Sequence, residues 1–469
     1  MSAPVKRSSP PPLSDADRVR RAGPSNRHEL VARAAYVLRG NSAGAMTRAA
    51  PDLYPHQWSW DAAFVAVGLA HIDIRRACAE LDSLFAGQWR TGMIPHIVFD
   101  PREENYFPGP DRWACAELTD DAPAQPRTSG ICQPPVHALA VERIVAIAAS
   151  VDSPASAHVE QWLPGTYDRL LAWHRYLARQ RDPHGAGLLT IYHGWESGMD
   201  NSPRWDAMYA RVVVGPDLPP YARRDTEVVT DASQRPTGAE YDQYLWIVER
   251  LKQAHYDDAE VRRTAEFRTT DVFASAVFAV ANDALADLAL RLGRPEEAEL
   301  RAIADRFRRG VAGTLDAESG LAVDVDLLTG TPIPVQTCAG FAPLICGGLD
   351  DDSERALLAL LRSPQWIGHP GLRNAVLPTT SPVSPDFRPR QYWRGPSWPV
   401  MNWFVAWMLA RRGVTEVAES LRLAALAELS EGSLAEYYEP LTGEPLGSVD
   451  QSWTAAAALD LLLARDWTD

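Results

Sequence analysis

Apolar residues along this chain recur at helical spacing in one segment after another. Between His28 and Arg39, Leu30, Val31, Ala34, Ala35, Val37 and Leu38 share a face, and Gly40 closes the run. The same reading predicts helices over about 62–71, 74–89, 134–150, 161–180, 240–255, 271–292, 295–311, 354–361, 399–411, 414–427 and 451–464. They are of two kinds. The runs starting at Ala62 and Asp271 are apolar nearly all round, as in a helix enclosed by others, whereas Pro295–Val311 is amphipathic. One β-type segment is expected at Leu321–Asp326, ahead of a Gly-Thr-Pro turn.

The intervening loops differ in length. Residues 92–133 are rich in Pro, Asp and aromatics without periodicity, and 212–238, 368–397 and 437–450 are also irregular. Loops this long in a folded domain usually carry function. There is no βαβ rhythm and no repeat of fixed period. Enclosed and amphipathic helices paired as inner and outer members of an (α/α)6 barrel account for both kinds, so the expected fold is all-α, with long loops capping one mouth. An irregular helical bundle is the alternative. Residues 1–26, with Pro10–Pro12 and several Ser and Arg, read as a disordered tail. Residues 27–469 then form one barrel domain, with cap or lid loops at 92–133 and 212–238.

Composition narrows the partners. With 46% hydrophobic and 23% charged residues the chain reads as an ordinary globular protein. A net charge of -15 disfavours nucleic acid and anionic membranes. Five scattered cysteines, none in a C-x-x-C spacing, argue against a disulfide framework or structural zinc. Together with the lack of an apolar signal core or spanning run, they point to the cytoplasm. The 11 histidines show no metal-ligand spacing, and there is no phosphate loop, nucleophile elbow or dinucleotide fingerprint. No metal or cofactor is expected. An exposed outer helix ring leaves room for a homo-oligomer.

The chain's 16 tryptophans often stand beside Pro, Gly or acids, and an indole is both a stacking face for a sugar and a hydrogen-bond donor. Four short segments concentrate aromatics, carboxylates and amides: Trp58–Asp61, Gly194–Asp206, Tyr392–Trp398 and Glu436–Gly443. The second holds Glu196, Asp200 and Asp206 beside Trp195 and Trp205. Gly198 and Pro203 break any continuous helix through it. Carboxylates next to indoles suit glycoside hydrolysis, in which burial keeps one acid protonated near neutral pH while another stays ionised beside water. Helix capping and core packing are the competing uses, with Asp206 and Asp61 placed as caps or dipole partners.

These segments, in particular WESGMDNSPRWD, YWRGPSW and EYYEPLTG, resemble glycoside hydrolase family 63, over about Tyr54 to Trp453. The length, with no large N-terminal β-domain, is similar to that of bacterial members acting on glucosylglycerate or mannosylglycerate. The resemblance implies an (α/α)6 barrel, inversion at the anomeric carbon and no metal in the chemistry. It implies Asp200 as general acid, Glu436 as general base in preference to Glu439, and Asp61 as a partner of the nucleophilic water. Candidates for binding substrate are Tyr54, Trp58, Trp60, Gln133, Gly198, Tyr392, Trp393 and Trp398, with Tyr241 as a further hydroxyl. Arg235 is the first candidate for a glycerate carboxylate, since a guanidinium binds one through two parallel hydrogen bonds; Arg204 and Arg394 are its rivals. Glu196 would bind a sugar hydroxyl or hold the loop. The implied substrate is a small anionic α-glycoside, first of all 2-O-α-D-glucosylglycerate. Mannosylglycerate, a neutral α-glucoside such as trehalose, or sugar binding without catalysis are the alternatives.

Overall fold

The apolar and amphipathic helices pair off as two concentric rings in the computed structural model, which describes residues 24–151, 154–431 and 433–464. Numbered in chain order, the outer helices are α1 Pro24–Gly40, α3 Ile74–Phe85, α5 Pro154–Tyr176, α7 Glu297–Ala312, α9 Asp351–Arg362 and α11 Thr415–Glu431. The inner helices are α2 Ser59–Ala70, α4 His137–Ala149, α6 Val272–Leu292, α8 Ala342–Cys346, α10 Pro399–Arg411 and α12 Ser452–Leu463. Each inner helix touches the next, α2 to α4, α6, α8, α10, α12 and back to α2, which closes an (α/α)6 barrel.

Burial follows from this arrangement. Every residue of α2 is buried, as are Pro399–Ala410 of α10. Outer α7 buries Leu300, Ile303, Ala304, Phe307 and Val311, a single face at helical spacing. Inner helices approach closely where side chains are small. A Cβ on Gly68 of α2 would collide with the backbone of Ala456 in α12. Helix α6 is long and apolar enough to cross a membrane, but 89% of its apolar window is buried by its neighbours, so it is a core helix.

Four differences from the sequence reading have physical causes. Helix α8 has five residues, too few to display a period, and was not predicted. Helix α5 starts at Pro154, ahead of the predicted 161, through two turns of mostly small residues, Pro154 to Glu160, that show no clear apolar stripe. Helix α1 starts at Pro24, inside the segment assigned to the tail; the tail proper, 1–23, lies outside the described residues. The segment 92–133 also holds two short helices, Pro110–Trp113 and Cys115–Leu118.

A small antiparallel sheet stands beside the barrel: β1 Leu189–Ile191, β2 Thr269–Asp271, β3 Asp324–Asp326 and β4 Thr331–Ile333. Strand β3 lies within the one β-type segment read from the sequence. Strand β1 pairs with β2 through Thr190 opposite Thr270 and runs into the Gly194–Asp206 segment, so the sheet fixes where that segment begins. Residues 212–238 lead to a helix at Gly238–Gln253, whose start is a capping box between Thr237 and Glu240.

Candidate active site

Segments preceding or opening three inner helices line one cavity of about 730 Å³. Trp58, Trp60 and Asp61 come from the start of α2, Tyr392 and Trp393 from the approach to α10, and Gln451 and Trp453 from the start of α12. The acid segment adds Trp195, Gly198 and Asp200; the 212–238 region adds Arg235 and Pro236; Glu436 completes the wall. All four segments singled out in the sequence therefore meet in one space.

Two glycines make the acid segment fit. Gly198 has φ +70, and a Cβ there would lie 2.5 Å from the Trp60 indole, so the chain can turn against that ring only without a side chain. Gly194 donates its N–H to the Tyr209 hydroxyl at 3.1 Å. Between them runs a short 3-10 turn, Gly194–Ser197, tied by Ser197 Oγ donating to the Gly194 carbonyl at 2.6 Å. Asp200 follows. It lines the cavity and keeps partial exposure to it. Burial pushes its carboxyl up to about 7, with the Glu436 charge adding to the rise and the Arg235 guanidinium opposing it.

Glu436 is gripped. The Ser448 N–H donates to its Oε2 at 3.0 Å, and Gly447, at φ +71, passes so close that a Cβ would lie 2.5 Å from the same oxygen. Burial moves its carboxyl above the ordinary range, while Arg235, the Ser448 N–H and the hydroxyls of Tyr54 and Ser448 pull it back. Asp61, in the first turn of α2, is held well above the carboxylate range by burial and by the charges of Glu436 and Asp200. The three carboxyls thus interact within one cavity, and no more than some of them can be ionised together.

Arg235 is the only arginine or lysine in this wall among the described residues. Its Nε donates to Asp225 at 3.0 Å and its Nη1 to the Tyr54 hydroxyl at 3.0 Å, and its guanidinium lies 4.6 Å from the Tyr392 ring centre. Arg223 also binds Asp225, at 2.6 Å, so the carboxylate that orients Arg235 is itself fixed. Tyr392 takes up φ 45, an uncommon conformation for a non-glycine residue, and its hydroxyl meets that of Tyr54 at 3.1 Å. The rival arginines are committed elsewhere. Arg204 pairs with Asp324 at 2.9 Å, and Arg394 holds Asp206 through two bonds of 2.7 and 2.6 Å.

Of the residues proposed from sequence to meet substrate, Tyr54, Trp58, Trp60, Gly198, Arg235, Tyr392, Trp393 and also Tyr241 lie in the wall. Two need correction. Trp398 is fully buried behind Trp393, stacked on it with ring centres 3.7 Å apart and planes at 8°, and does not reach the cavity. Gln133 is absent from the wall; its Oε1 accepts from the Trp60 N–H at 3.3 Å at the start of α2. Glu439 turns away, accepting the Thr442 N–H of its own turn at 2.6 Å, which leaves Glu436 as the carboxylate of that segment facing the cavity. Glu196 holds the loop through Arg181, and Asp206 answers Arg394.

Sequence reasoning missed His96, Tyr106, Trp195, Tyr244, Gln451 and Trp453 as wall residues. The sequence places Trp195 beside the carboxylates of the acid segment without placing it in the wall. His96 and Tyr106 come from the aperiodic 92–133 region, where length alone was the signal. Burial drives the His96 imidazole down to about 3, so it is neutral, and its Nδ1 is engaged by Ser129 at 3.0 Å.

An (α/α)6 barrel with carboxylates, indoles and one guanidinium around a mouth cavity defines a glycoside hydrolase. The chain belongs to the family described as mannosylglycerate hydrolase MGH1-like glycoside hydrolase domain, whose model matches residues 54–454. It is 55% identical over 436 residues to the glucosylglycerate hydrolase of Mycolicibacterium hassiacum, covering 92% of this chain and 98% of that one. The crystal structure of the family 63 mannosylglycerate hydrolase from Thermus thermophilus in complex with Tris matches with a TM-score of 0.84 and 40% identity, over 92% of this chain and 99% of that one. A structure of the same enzyme with Tris and D-glycerate matches with a TM-score of 0.83, again at 40% identity and 92% and 99% coverage.

Proposed function

We propose that this enzyme hydrolyses 2-O-α-D-glucosylglycerate with inversion, giving glucose and glycerate. The observation that carries this reading is Arg235: one guanidinium, oriented by Asp225 and Tyr54, in a cavity otherwise walled by carboxyls and aromatic rings. Arg235 is paired with Asp225, and among the described residues it is the one cation that lines the cavity, where an anionic group of the substrate would meet it. A glycerate carboxylate fits that role, and the bound D-glycerate of the Thermus thermophilus enzyme supports it. The glucosyl reading rests on the higher identity to the glucosylglycerate hydrolase, 55% against 41% for the mannosylglycerate hydrolase of Thermus thermophilus.

In this reaction Asp200 gives its proton to the glycosidic oxygen as the bond from C1 to that oxygen breaks. Water attacks C1 from the opposite face and Glu436 takes its proton, with Asp61 steadying the water. Because water itself attacks C1, no covalent intermediate forms, and the two carboxyls re-equilibrate their protons with solvent afterwards. A carboxyl at about 7 is still substantially protonated near neutral pH, as a donor must be. Trp58, Trp60, Trp195 and Trp393 offer apolar faces to the ring, and Tyr54, Tyr241 and Tyr392 offer hydroxyls. The mannosyl alternative keeps every one of these roles and changes only the sugar.

The test is a panel of glucosylglycerate, mannosylglycerate, glucosylglycerol and trehalose, read as released monosaccharide. Glucosylglycerate should be the best substrate. Equal kcat/KM on glucosylglycerol, which lacks the carboxylate, would overturn the role of Arg235.

A further inference from the structure

The acid segment is a thin partition. Trp195 faces the active-site cavity, whereas the next residue, Glu196, faces a second cavity of about 740 Å³ on the other side. The turn packs against Trp60 and is tied to Tyr209 and Trp205, and it has open space behind Glu196. What crosses that space is Arg181. Its Nη1 and Nη2 reach the two oxygens of Glu196 at 3.0 and 2.8 Å, and both side chains are nearly inaccessible, at 6% and 0% exposure. Glu196 in turn accepts the Tyr192 N–H at 2.7 Å and the Cys132 N–H at 3.3 Å, so the carboxylate gathers three chain segments.

The local backbone is built for this contact. Past Tyr176 helix α5 widens into a π-turn, Leu177–Arg181, whose i→i+5 hydrogen bonds give a wider radius that re-aims side chains and recurs at functional sites. Arg181 is the last residue of that turn. Its guanidinium also lies 4.9 Å from the Tyr192 ring centre, which leaves the fork little freedom to swing away from Glu196.

We propose that the Arg181–Glu196 ion pair is the positioning device of the proton donor: it holds the 194–200 turn against the active-site cavity and so keeps Asp200 in reach of the leaving-group oxygen. Neither residue touches substrate. The proposal rests on the reading of Asp200 as the acid. Weakening the pair lets the turn relax into the second cavity, which impairs proton donation and leaves water attack on C1 intact.

Two substrates separate these effects. Glucosylglycerate needs a proton on its leaving group; α-D-glucosyl fluoride does not, because fluoride departs without one. In Glu196→Gln, which keeps the shape of the side chain, kcat on glucosylglycerate should fall about 10–100-fold with KM changed by less than about threefold, while fluoride hydrolysis stays within about threefold of the wild-type rate. Arg181→Lys should show the same pattern more weakly. Should a single variant not fold, the pair Arg181→Met with Glu196→Gln leaves no unpaired buried charge and is read the same way. Equal losses on both substrates, or no loss on either, overturn the proposal. Asp200→Asn is run alongside: it must lose glucosylglycerate and keep the fluoride. If it loses both, the assignment of Asp200 fails, whatever the Glu196 variant does.

Discussion

The acid and base segments place a buried carboxyl in the same cavity and treat it in opposite ways. Asp200 ends a turn made narrow by Gly194 and Gly198, and no hydrogen bond from another side chain reaches its carboxyl among the described residues. Glu436 sits in a backbone cradle, with the Ser448 N–H on one oxygen and the Tyr54 hydroxyl also acting on it. Both are pushed upward by burial. Glu436 has donors from other residues, Ser448 and Tyr54, that favour its ionised form, whereas Asp200 has only its own backbone N–H among the described residues. In the proposed mechanism the division into proton donor and proton acceptor follows from the hydrogen bonds around each carboxyl.

The largest expected effect comes from removing either carboxyl. Asp200→Asn and Glu436→Gln should each lower kcat on glucosylglycerate by about 10³-fold or more, measured as released glucose, with the fold retained by circular dichroism. Next is the anionic end. Arg235→Ala should cost about 100-fold in kcat/KM on glucosylglycerate but less than about fivefold on glucosylglycerol, because only the first presents a carboxylate to the lost bonds.

Smaller effects probe the cradle. Gly447→Ala puts a methyl against Glu436 Oε2 at a positive φ, so kcat should fall about tenfold and stability by about 1 kcal/mol. Tyr54→Phe removes a hydroxyl that holds the Glu436 carboxyl down. The low-pH limb of its kcat/KM profile should move to higher pH, since the base then protonates more readily.

Stability should also report on Asp200. Its carboxyl is raised from 3.8 to about 7 in the folded chain, so folding binds a proton between those values and stability falls as pH rises through that window. Above about 7 the folded state carries the full cost of the charge, on the order of 4 kcal/mol. Asp200→Asn should therefore raise the melting temperature more at pH 8 than at pH 4. An equal gain in melting temperature at both pH values would remove burial as the cause of the shift.

Much of this was legible in the sequence because the barrel has a simple requirement: enclosed helices are apolar all round and outer ones on one face. The rule read α2, α6 and α7 correctly and failed at α8, whose five residues cannot show a face. Motifs gave the neighbourhood of the site but not the direction of each ring. Trp393 and Trp398 stand five residues apart in one segment, yet one lines the cavity and the other is stacked behind it, a matter of backbone path around Tyr392 that spacing does not encode. The sequence favours Arg235 over Arg204 and Arg394 because it lies in an irregular segment, whereas each rival lies in a motif shared by relatives with neutral substrates. The structure adds the position: Arg235 lines the cavity, whereas Arg204 and Arg394 pair with Asp324 and Asp206 outside its wall. The bond from Arg181 to Glu196 was not legible at all, because a π-turn and an intervening strand bring the two together.

The division of labour between Asp200 and Glu436 is tested most directly by α-D-glucosyl fluoride, a substrate whose leaving group needs no proton. Initial rates are measured for the two variants Asp200→Asn and Glu436→Gln. The expected result is that Asp200→Asn hydrolyses the fluoride at a rate close to wild type while Glu436→Gln does not. The reverse pattern, or loss of fluoride hydrolysis in both, would contradict the assignment of donor and acceptor.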